Sequence, residues 1–584
     1  MSENKPLSFY INESNNVNLD IFSKKIKLAI LSSFTINGLA ECIKVKSSLK
    51  DIGCQIYESG YNQYNQEIFN TDSNLYKFSP DLTILILDIR SIFGDIFYNP
   101  YTLSDNERIE FVKNRFQEIT TIINSFKKNS NAKLLVTNLN FVSFSPYGIA
   151  EQKTNFNFNE MIGLFNDKLK KEYMDDNFVL IYDFSNFVLK YGEKNVFNYK
   201  NYFFGNITIS FEFIPFLADD ILSFLIAING KTKKCIVLDL DNTLWGGIVG
   251  EDGFDGIQLG PNAPGNAYME FQKYLKSLAQ RGILLAINSK NNYDDAMKII
   301  SEHPFMILRK NDFSSIKINW DNKVSNMKEI ANEVNIGTDS FVFFDDDPVN
   351  RSLIKNTLPE IVTPELPSDP SYYVEILQSL PDFSLIRMTY EDKNRKKMYQ
   401  EQENRKNQEL ESNNLEDFLR SLNLKVIIKD STSFTIPRIS QLTLKTNQFN
   451  LTTKRYQEEE IKKFSEDKNV LIKCAQVKDK FGDSGITGTF IVKKDSEEWI
   501  IDTFLLSCRV IGREIEKAMM DYIINESRKS GVKKILAQYI QTEKNSPIED
   551  FLPKSGFEKN GDYWVYDVEK QLKVPSFLSI EIEK

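Results

Sequence analysis

Two clusters of aspartates carry the strongest chemical signal in this 584-residue chain. The first lies in DLDNTLWGGIVGEDG, where the apolar run Ile236 to Leu238 ends in Asp239 and Asp241, with Thr243 two residues on. An apolar strand that ends in two carboxylates projects both from the carboxyl edge of a sheet, where α/β proteins place their ligands. Such a pair can hold a hard cation, or divide into a nucleophile and an acid and base. The second cluster, FVFFDDDPVNR, puts Asp345, Asp346 and Asp347 at the end of another buried run, before Pro348 at a helix start. Four or five converging carboxylates repel one another, so Mg²⁺ is expected between them. Ser289 closes the run ILLAINS and Lys323 opens the helical pattern KVSNMKEIANEV, and both are placed to hold a phosphate oxygen.

Other chemistries are excluded by composition. His303 is the single histidine, so a Ser-His-Asp or Cys-His arrangement occurs at most once and a three-histidine metal site not at all. The cysteines, Cys42, Cys54, Cys235, Cys474 and Cys508, form neither a CxxC nor a Cys/His cluster, and their number is odd. That pattern argues against zinc and against a disulfide framework, and fits a reducing, cytoplasmic setting. With 72 basic and 81 acidic side chains and a net charge of −9, the chain is not expected to bind nucleic acid as its main task. The stretch SENKPLSFYINESNN after Met1 has no signal-peptide pattern. The longest apolar candidate, Ile221 to Asn229, is far short of the roughly 20 residues of a membrane span and reads as a buried helix end.

The elements that must position these residues follow from periodicity. A chain this long exceeds one core, which stops growing near about 250–300 residues, so three domains are expected. Residues 1–229 alternate apolar runs (KIKLAILSS, LTILILDI, KLLVTNLN, FVLIYDF) with amphipathic stretches, the pattern of an α/β domain with a buried parallel sheet. Here INGLAECIKVKSSLKDIG predicts a helix ending at Gly53. Residues 230–388 repeat the α/β pattern around the aspartates. Residues 389–421, rich in charge and helix formers, predict a solvated connecting helix. Residues 422–584 mix strands (LKVIIKD, TGTFIVKK, EEWIIDTFLLS) with the helix IGREIEKAMMDYIINESRKSG, an α+β pattern.

In order along the chain, Asp239, Asp241 and Thr243, then Ser289, then Lys323, then Asp345 and Asp346 resemble the motifs of haloacid-dehalogenase-like (HAD) phosphotransferases. The wording DLDNTLWGGIVGEDG, INWDNK and FFDDDPVNR is similar to the FkbH-like subfamily. The resemblance implies a HAD-like parallel sheet without a large cap, since the stretch from Asp241 to Ser289 holds only a flap and one helix. It implies Asp239 as the phosphate-attacking nucleophile and Asp241 as acid and base. Thr243, Ser289 and Lys323 would be phosphate holders, and Asp239, Asp241, Asp345 and Asp346 would form the Mg²⁺ site.

The flanking domains carry weaker resemblances. FLLSCRVIGREIEKAMM resembles the acyl-CoA-phosphate loop of GNAT-type acetyltransferases, with Arg509, Gly512 and Arg513 at the loop. TNQFNLT, FGDSG and SCRVIGRE again look like FkbH-like proteins. In that family the resemblance implies taking a glyceryl unit from 1,3-bisphosphoglycerate, losing phosphate, and delivering the unit to an acyl carrier protein or glycan precursor. Cys508 is the candidate thiol; the alternative is a small buried core cysteine. Asn288-Ser289-Lys290 stands where the family is expected to read Cys-Ser-Lys, and Asp347 where asparagine is more usual. The alternative function is a phosphatase of a sugar phosphate or phosphoprotein with a separate CoA-dependent acyltransferase domain. The first domain looks like a divergent SGNH-hydrolase-like domain, with Ser33 nucleophile-like and Asn140 oxyanion-like. NYFFGNITISFEF stands where its histidine should be, so a non-hydrolytic scaffold is expected.

Overall fold

The computed structural model describes residues 4–22, 25–412, 414–542 and 544–583. The chain divides into two compact units, one ending at Ile226 and the other starting at Ala227.

In the first unit the apolar runs become strands β1 (Lys25–Ser32), β2 (Gly53–Glu58), β3 (Leu82–Ile86), β4 (Lys133–Thr137) and β5 (Val179–Tyr182). They form a parallel sheet in the order β2-β1-β3-β4-β5. β3 and β4 are buried along their whole length, which is why both read as unbroken apolar runs. Helices α1 (Leu39–Ser48), α2 (Asp105–Asn129) and α3 (Phe158–Tyr173) connect them. The helix expected to end at Gly53 stops at Ser48, because Gly53 already pairs with Lys25 in the sheet. The apolar stretch near residue 225 lies in α4 (Ile214–Ile228), whose Leu217, Ile221 and Leu225 are buried. Among the described residues no helix is long and apolar enough to cross a membrane.

The second unit contains two sheets. The first is parallel: β6 (Cys235–Leu238), β7 (Leu284–Ser289), β8 (Phe313–Ile318) and β9 (Phe341–Phe344), in the order β8-β7-β6-β9. Strand order reverses between β6 and β9, and that reversal opens the crevice in which α/β proteins bind ligands. Cys235 and Val237 face one core with Met327 and Ile330. Ile236 and Leu238 face another with Phe271 and Leu275, as alternation along a strand requires. Helices α5 (Gly265–Gln280), α6 (Tyr293–Glu302), α7 (Lys323–Glu333) and α8 (Pro348–Thr357) flank this sheet.

The highly charged stretch forms α9 (Tyr390–Glu411), followed by α10 (Leu415–Ser421). The expectation of a solvated helix is corrected here: Glu391, Asp392, Met398, Glu401 and Arg405 are buried. The Arg405 guanidinium donates to both carboxylate oxygens of Asp479 at 2.6 and 2.8 Å, and Arg395 donates to the Gly282 carbonyl at 2.8 Å. One face of α9 is thus buried through paired charge rather than apolar packing, so a reading by hydrophobicity misses it.

The last sheet is mixed. β10 (Lys425–Asp430), β11 (Phe449–Asn450), β12 (Val470–Asp479), β13 (Gly482–Lys494), β14 (Glu498–Leu506), β15 (Lys534–Ala537), β16 (Glu558–Asn560), β17 (Tyr563–Asp567) and β18 (Ser579–Glu583) follow in sequence. Their order is β16-β17-β15-β14-β13-β12-β10-β18, with β11 on β14. β14/β15 and β10/β18 are parallel and the other pairs antiparallel. Helices α11 (Ile436–Lys445) and α12 (Ile515–Lys529) belong to this α+β layer, and Met519 and Ile523 of α12 pack into a core with Phe490 and Phe504.

Candidate metal and phosphate site

Register puts the carboxylates side by side. Leu238 on β6 pairs with Phe344 on β9 and Ile287 on β7, and the Asp239 amide donates to the Phe344 carbonyl at 2.9 Å. Asp239, Asp345 and Asp346 therefore leave the same edge of the sheet, and each has a carboxylate oxygen within 4.8 Å of the others. Asp239 and Asp345 are buried and Asp346 is half-buried. Lys323, only 1% exposed, enters from α7 with its ammonium 2.9 Å from Asp239 Oδ1 and 2.5 Å from Asp345 Oδ2.

The electrostatics are those of an anionic nest with one resident cation. Burial first, then Asp239 and Asp345, push the Asp346 carboxyl up to about 6. Burial and Asp239 likewise raise Asp345 against the pull of Lys323. Burial lowers the pKa of Lys323, but its two carboxylate neighbours outweigh this and hold it above the usual lysine value. Three oxygen ligands from carboxylates that resist simultaneous ionisation are the donor set a small divalent ion takes. The Thr243 hydroxyl is fully buried with no hydrogen-bond partner among the described residues, and Ser289, buried, ends β7 beside β6. A buried hydroxyl without a partner, four residues on from Asp239, has a hydrogen bond to give a phosphoryl oxygen.

Asp241 sits at the root of the flap. Its Oδ1 accepts from the Trp245 indole at 2.8 Å and the Val249 amide at 3.1 Å, and its Oδ2 accepts from Asn291 at 2.9 Å. Burial and Asp239 raise its pKa against these donors. Gly247, at φ +88°, turns the flap where a side chain would meet the Asp252 carboxylate at 2.5 Å, so the turn requires glycine.

Arg351 and Tyr373 carry no signal in the sequence motifs, and Asn288 and Asp347, which stood out there as departures, turn out to be supports. Asn288 points away from a catalytic role: its amide donates to the Lys323 carbonyl at 2.9 Å and its oxygen accepts from Asn326 at 3.1 Å, fixing the start of α7. Arg351 donates to the carbonyls of Asp345 and Asp346 at 2.8 and 2.7 Å. Tyr373 donates to the Asn242 carbonyl at 3.0 Å. Asp347 is a helix cap: its carboxylate accepts from the Val349 amide at 2.8 Å, and its own amide donates to Asp345 Oδ1 at 2.9 Å. Only the tertiary contacts distinguish these residues from ordinary polar positions.

Cys508 lies elsewhere. It is half-exposed at the end of β14 and touches Asn335, which precedes β9, whereas Asp345 follows β9. The cysteine is thus at the amino edge of the parallel sheet and the aspartates at its carboxyl edge. Lys234 and Asp239 bracket the intervening strand, five residues apart, or about 16 Å at roughly 3.3 Å per residue. The cavity that Cys508 lines includes none of Asp239, Asp345 and Asp346. In the loop after β14, Gly512 adopts φ +82° with open space around it. Arg509 donates to Met398 Sδ at 2.7 Å. Arg513 is buried, donating to Gln402 at 2.5 Å and to the Arg509 carbonyl at 2.7 Å, so its guanidinium braces α9 instead of presenting itself to an acyl-CoA phosphate.

His303 ends α6 beside Phe254, and burial lowers its pKa. In the first unit the Ser33 hydroxyl is buried and accepts from the Asp88 amide at 2.8 Å, while Asn140 donates to the Phe141 carbonyl at 3.1 Å.

The family model described as "FkbH, N-terminal domain" matches residues 27–226. The chain is also similar, at 28% identity and a TM-score of 0.60, to the N-terminal part of a Bacteroides fragilis protein containing a phosphatase domain, crystallised in complex with Mg. That match covers 66% of this chain and 100% of the other. The ribosomal-protein-S18-alanine N-acetyltransferase from Escherichia coli matches at 12% identity and a TM-score of 0.20, over 24% of this chain and 90% of that one. No curated protein matches.

Proposed function

We propose that the chain, whose residues 27–226 match the FkbH N-terminal domain model, is a Mg²⁺-dependent enzyme of the HAD type that releases phosphate from a phosphorylated small acid. The observation that carries this reading is the group of Asp239, Asp345 and Asp346 at one edge of the sheet, with the buried Lys323 ammonium paired to Asp239 and Asp345. The similarity to a phosphatase domain complexed with Mg supports it.

Asp239, Asp345 and Asp346 are the residues that would hold the ion; Asp241, expected as a fourth ligand, lies outside this group, its carboxylate oxygens accepting from Trp245, Val249 and Asn291. Bound there, Mg²⁺ supplies charge neutralisation to the transferring phosphoryl group. The protein does the rest. Thr243, Ser289 and Lys323 hold the phosphoryl oxygens, and an Asp239 carboxylate oxygen attacks phosphorus as the bond to the leaving oxygen breaks. Asp241, kept available for a proton by its raised pKa, protonates that leaving oxygen and then takes a proton from the water that hydrolyses the aspartyl phosphate.

The finer reading is glyceryl transfer. The substrate is a phosphorylated three-carbon acid, 1,3-bisphosphoglycerate, and the acceptor an acyl carrier protein or a glycan precursor. The Cys508 thiolate attacks the acyl carbon, expelling phosphate, and the aspartates remove the remaining phosphate. Because Cys508 and Asp239 lie at opposite edges of the sheet, the two steps belong to two places. The same separation favours the second reading, a phosphatase of a sugar phosphate or phosphoprotein with an independent CoA-dependent acyltransferase activity.

The test is intact-protein mass spectrometry after incubation with Mg²⁺ and 1,3-bisphosphoglycerate, repeated with Cys508→Ala and Asp239→Asn. A hydroxylamine-labile adduct lost only in Cys508→Ala supports glyceryl transfer. No adduct, with Asp239-dependent phosphate release from other phosphoesters, supports the second reading.

A further inference from the structure

At the amino edge of the parallel sheet, between it and the mixed sheet, lies a cavity of about 650 Å³. This is the size of a metabolite site. Six cationic side chains line it: Lys234 before β6, Arg395 on α9, Arg438 and Lys445 on α11, Arg509 after β14, and Lys544. Against them stand Asp339, Glu360 and Glu391 in the wall, with Asp392 behind. Lys544 pairs with Asp339 at 2.5 Å, Arg438 lies 3.8 Å from Glu391, and Arg395 pairs with Asp392.

Three cations, Lys234, Lys445 and Arg509, are left without an ion pair among the described residues, against one wall carboxylate, Glu360, that has none either. Lys445 donates to the Thr232 hydroxyl at 3.1 Å and has no ion pair among the described residues; the Lys234 ammonium has neither a hydrogen bond nor an ion pair among them. Burial and mutual repulsion with Lys234, Arg395 and Arg438 bring Lys445 down to about 7, and burial lowers Lys234 and Arg438 as well. Buried cations gathered from separate elements around one cavity without enough counter-charge are costly unless an anion joins them. Lys234, Lys445 and Arg509 come from three separate elements, and holding them charged together calls for more than one carboxylate, which a phosphate with a neighbouring oxyanion supplies.

We propose that this cavity is an anion site for a small phosphorylated ligand carrying a second oxyanion, held by Lys234, Lys445 and Arg438, with the Cys508 thiol in its wall. The site is separate from the aspartate cluster by the length of β6, and its occupancy is independent of phosphoryl transfer at Asp239. The recognised chemistry, a phosphate with a neighbouring oxyanion, is common to a phosphorylated hydroxy acid and to the diphosphate of a nucleotide cofactor.

Cys508 reports on occupancy. The other cysteines are buried, and burial pushes the thiols of Cys42, Cys54 and Cys474 up to about 12. Iodoacetamide added to the folded full-length chain in EDTA therefore alkylates Cys508, read by intact mass with Cys508→Ala as the assignment control. The probes are inorganic pyrophosphate, 3-phosphoglycerate and coenzyme A in its desulfo form, which lacks the thiol that would itself consume iodoacetamide. The expected result is at least tenfold slower alkylation with millimolar pyrophosphate or 3-phosphoglycerate. Lys234→Met and Lys445→Met should each raise the concentration needed by tenfold or more, with recovery in Lys445→Arg and no change in Asp239→Asn. Preference for 3-phosphoglycerate identifies the hydroxy acid, and equal protection by pyrophosphate and coenzyme A identifies the diphosphate; both support the site. Protection by neither small anion, protection by coenzyme A alone, or protection lost in Asp239→Asn but kept in both lysine variants overturns it. Loss of phosphate release in Asp239→Asn with protection intact keeps this result distinct from the fate of the phosphatase reading.

Discussion

Cys508 and Asn335 clasp each other between the two sheets of the second unit: the Cys508 thiol donates to the Asn335 carbonyl at 3.1 Å, and the Asn335 amide donates to the Cys508 carbonyl at 2.7 Å. A serine hydroxyl at position 508 can make the same donation. Cys508→Ser is therefore expected to melt with the wild type while losing any hydroxylamine-labile acyl adduct, checked by calorimetry and intact mass. An adduct that survives in Cys508→Ser removes this thiol from the chemistry.

Asp239→Asn keeps the shape of the side chain and removes its charge and nucleophilicity. Phosphate release is expected to fall by at least about a thousandfold, because a nucleophile is not replaced by its neighbours. The rise in melting temperature on adding Mg²⁺ should also shrink, since one of three ligand carboxylates is gone. Wild-type turnover should stop in EDTA and return with Mg²⁺.

Lys323→Met leaves Asp239 and Asp345 facing each other without their buried counter-ion. Breaking such a pair costs about 3–5 kcal/mol. Urea unfolding in EDTA should show a loss of that size, and Mg²⁺ should recover much of it by supplying the missing charge. A variant as stable as wild type in EDTA contradicts the electrostatic account of the cluster.

The cavity lysines make stability depend on pH. Lys445 titrates near 7 in the folded chain against about 10.5 when unfolded, so between these values the unfolded chain binds more protons and stability rises with pH. The groups facing it are Lys234, Arg395, Arg438 and Asp392, with Glu391, Asp339, Arg509 and Lys544 elsewhere in the wall. The wild-type stability, measured relative to Lys445→Met, should increase from pH 7 to pH 10. A flat difference across that range rules out a buried, depressed Lys445.

Asn288→Ala removes the side chain that holds the Lys323 carbonyl and Asn326. Leaving buried polar partners unsatisfied costs about 1–3 kcal/mol. Both stability and kcat should drop, the latter because Lys323 loses its anchor, whereas KM for a poorly bound phosphoester should change less.

What the residues alone determined is local and periodic. The buried parallel strands announced themselves as unbroken apolar runs, and Asp239, Asp345 and Ser289 were placed at strand ends because side-chain alternation and strand length are short-range properties. The meeting of Asp239 and Asp345 at Lys323 required only that adjacent parallel strands keep level ends. Three matters were decided by tertiary structure. The α9 stretch looks solvated because its charges outnumber its apolar residues, yet Arg405 and Asp479, far apart in sequence, neutralise each other in the interior. Asn288 and Asp347 look like departures at a catalytic motif, but their bonds to Lys323 and Asp345 make them braces. Cys508 sits in a motif-like segment, and only the packing of β14 against the loop at Asn335 sets it at the far edge of the sheet from Asp239. No local rule encodes which edge of a sheet a distant loop will meet, because that choice is made by long-range packing and by the pairing of buried charges.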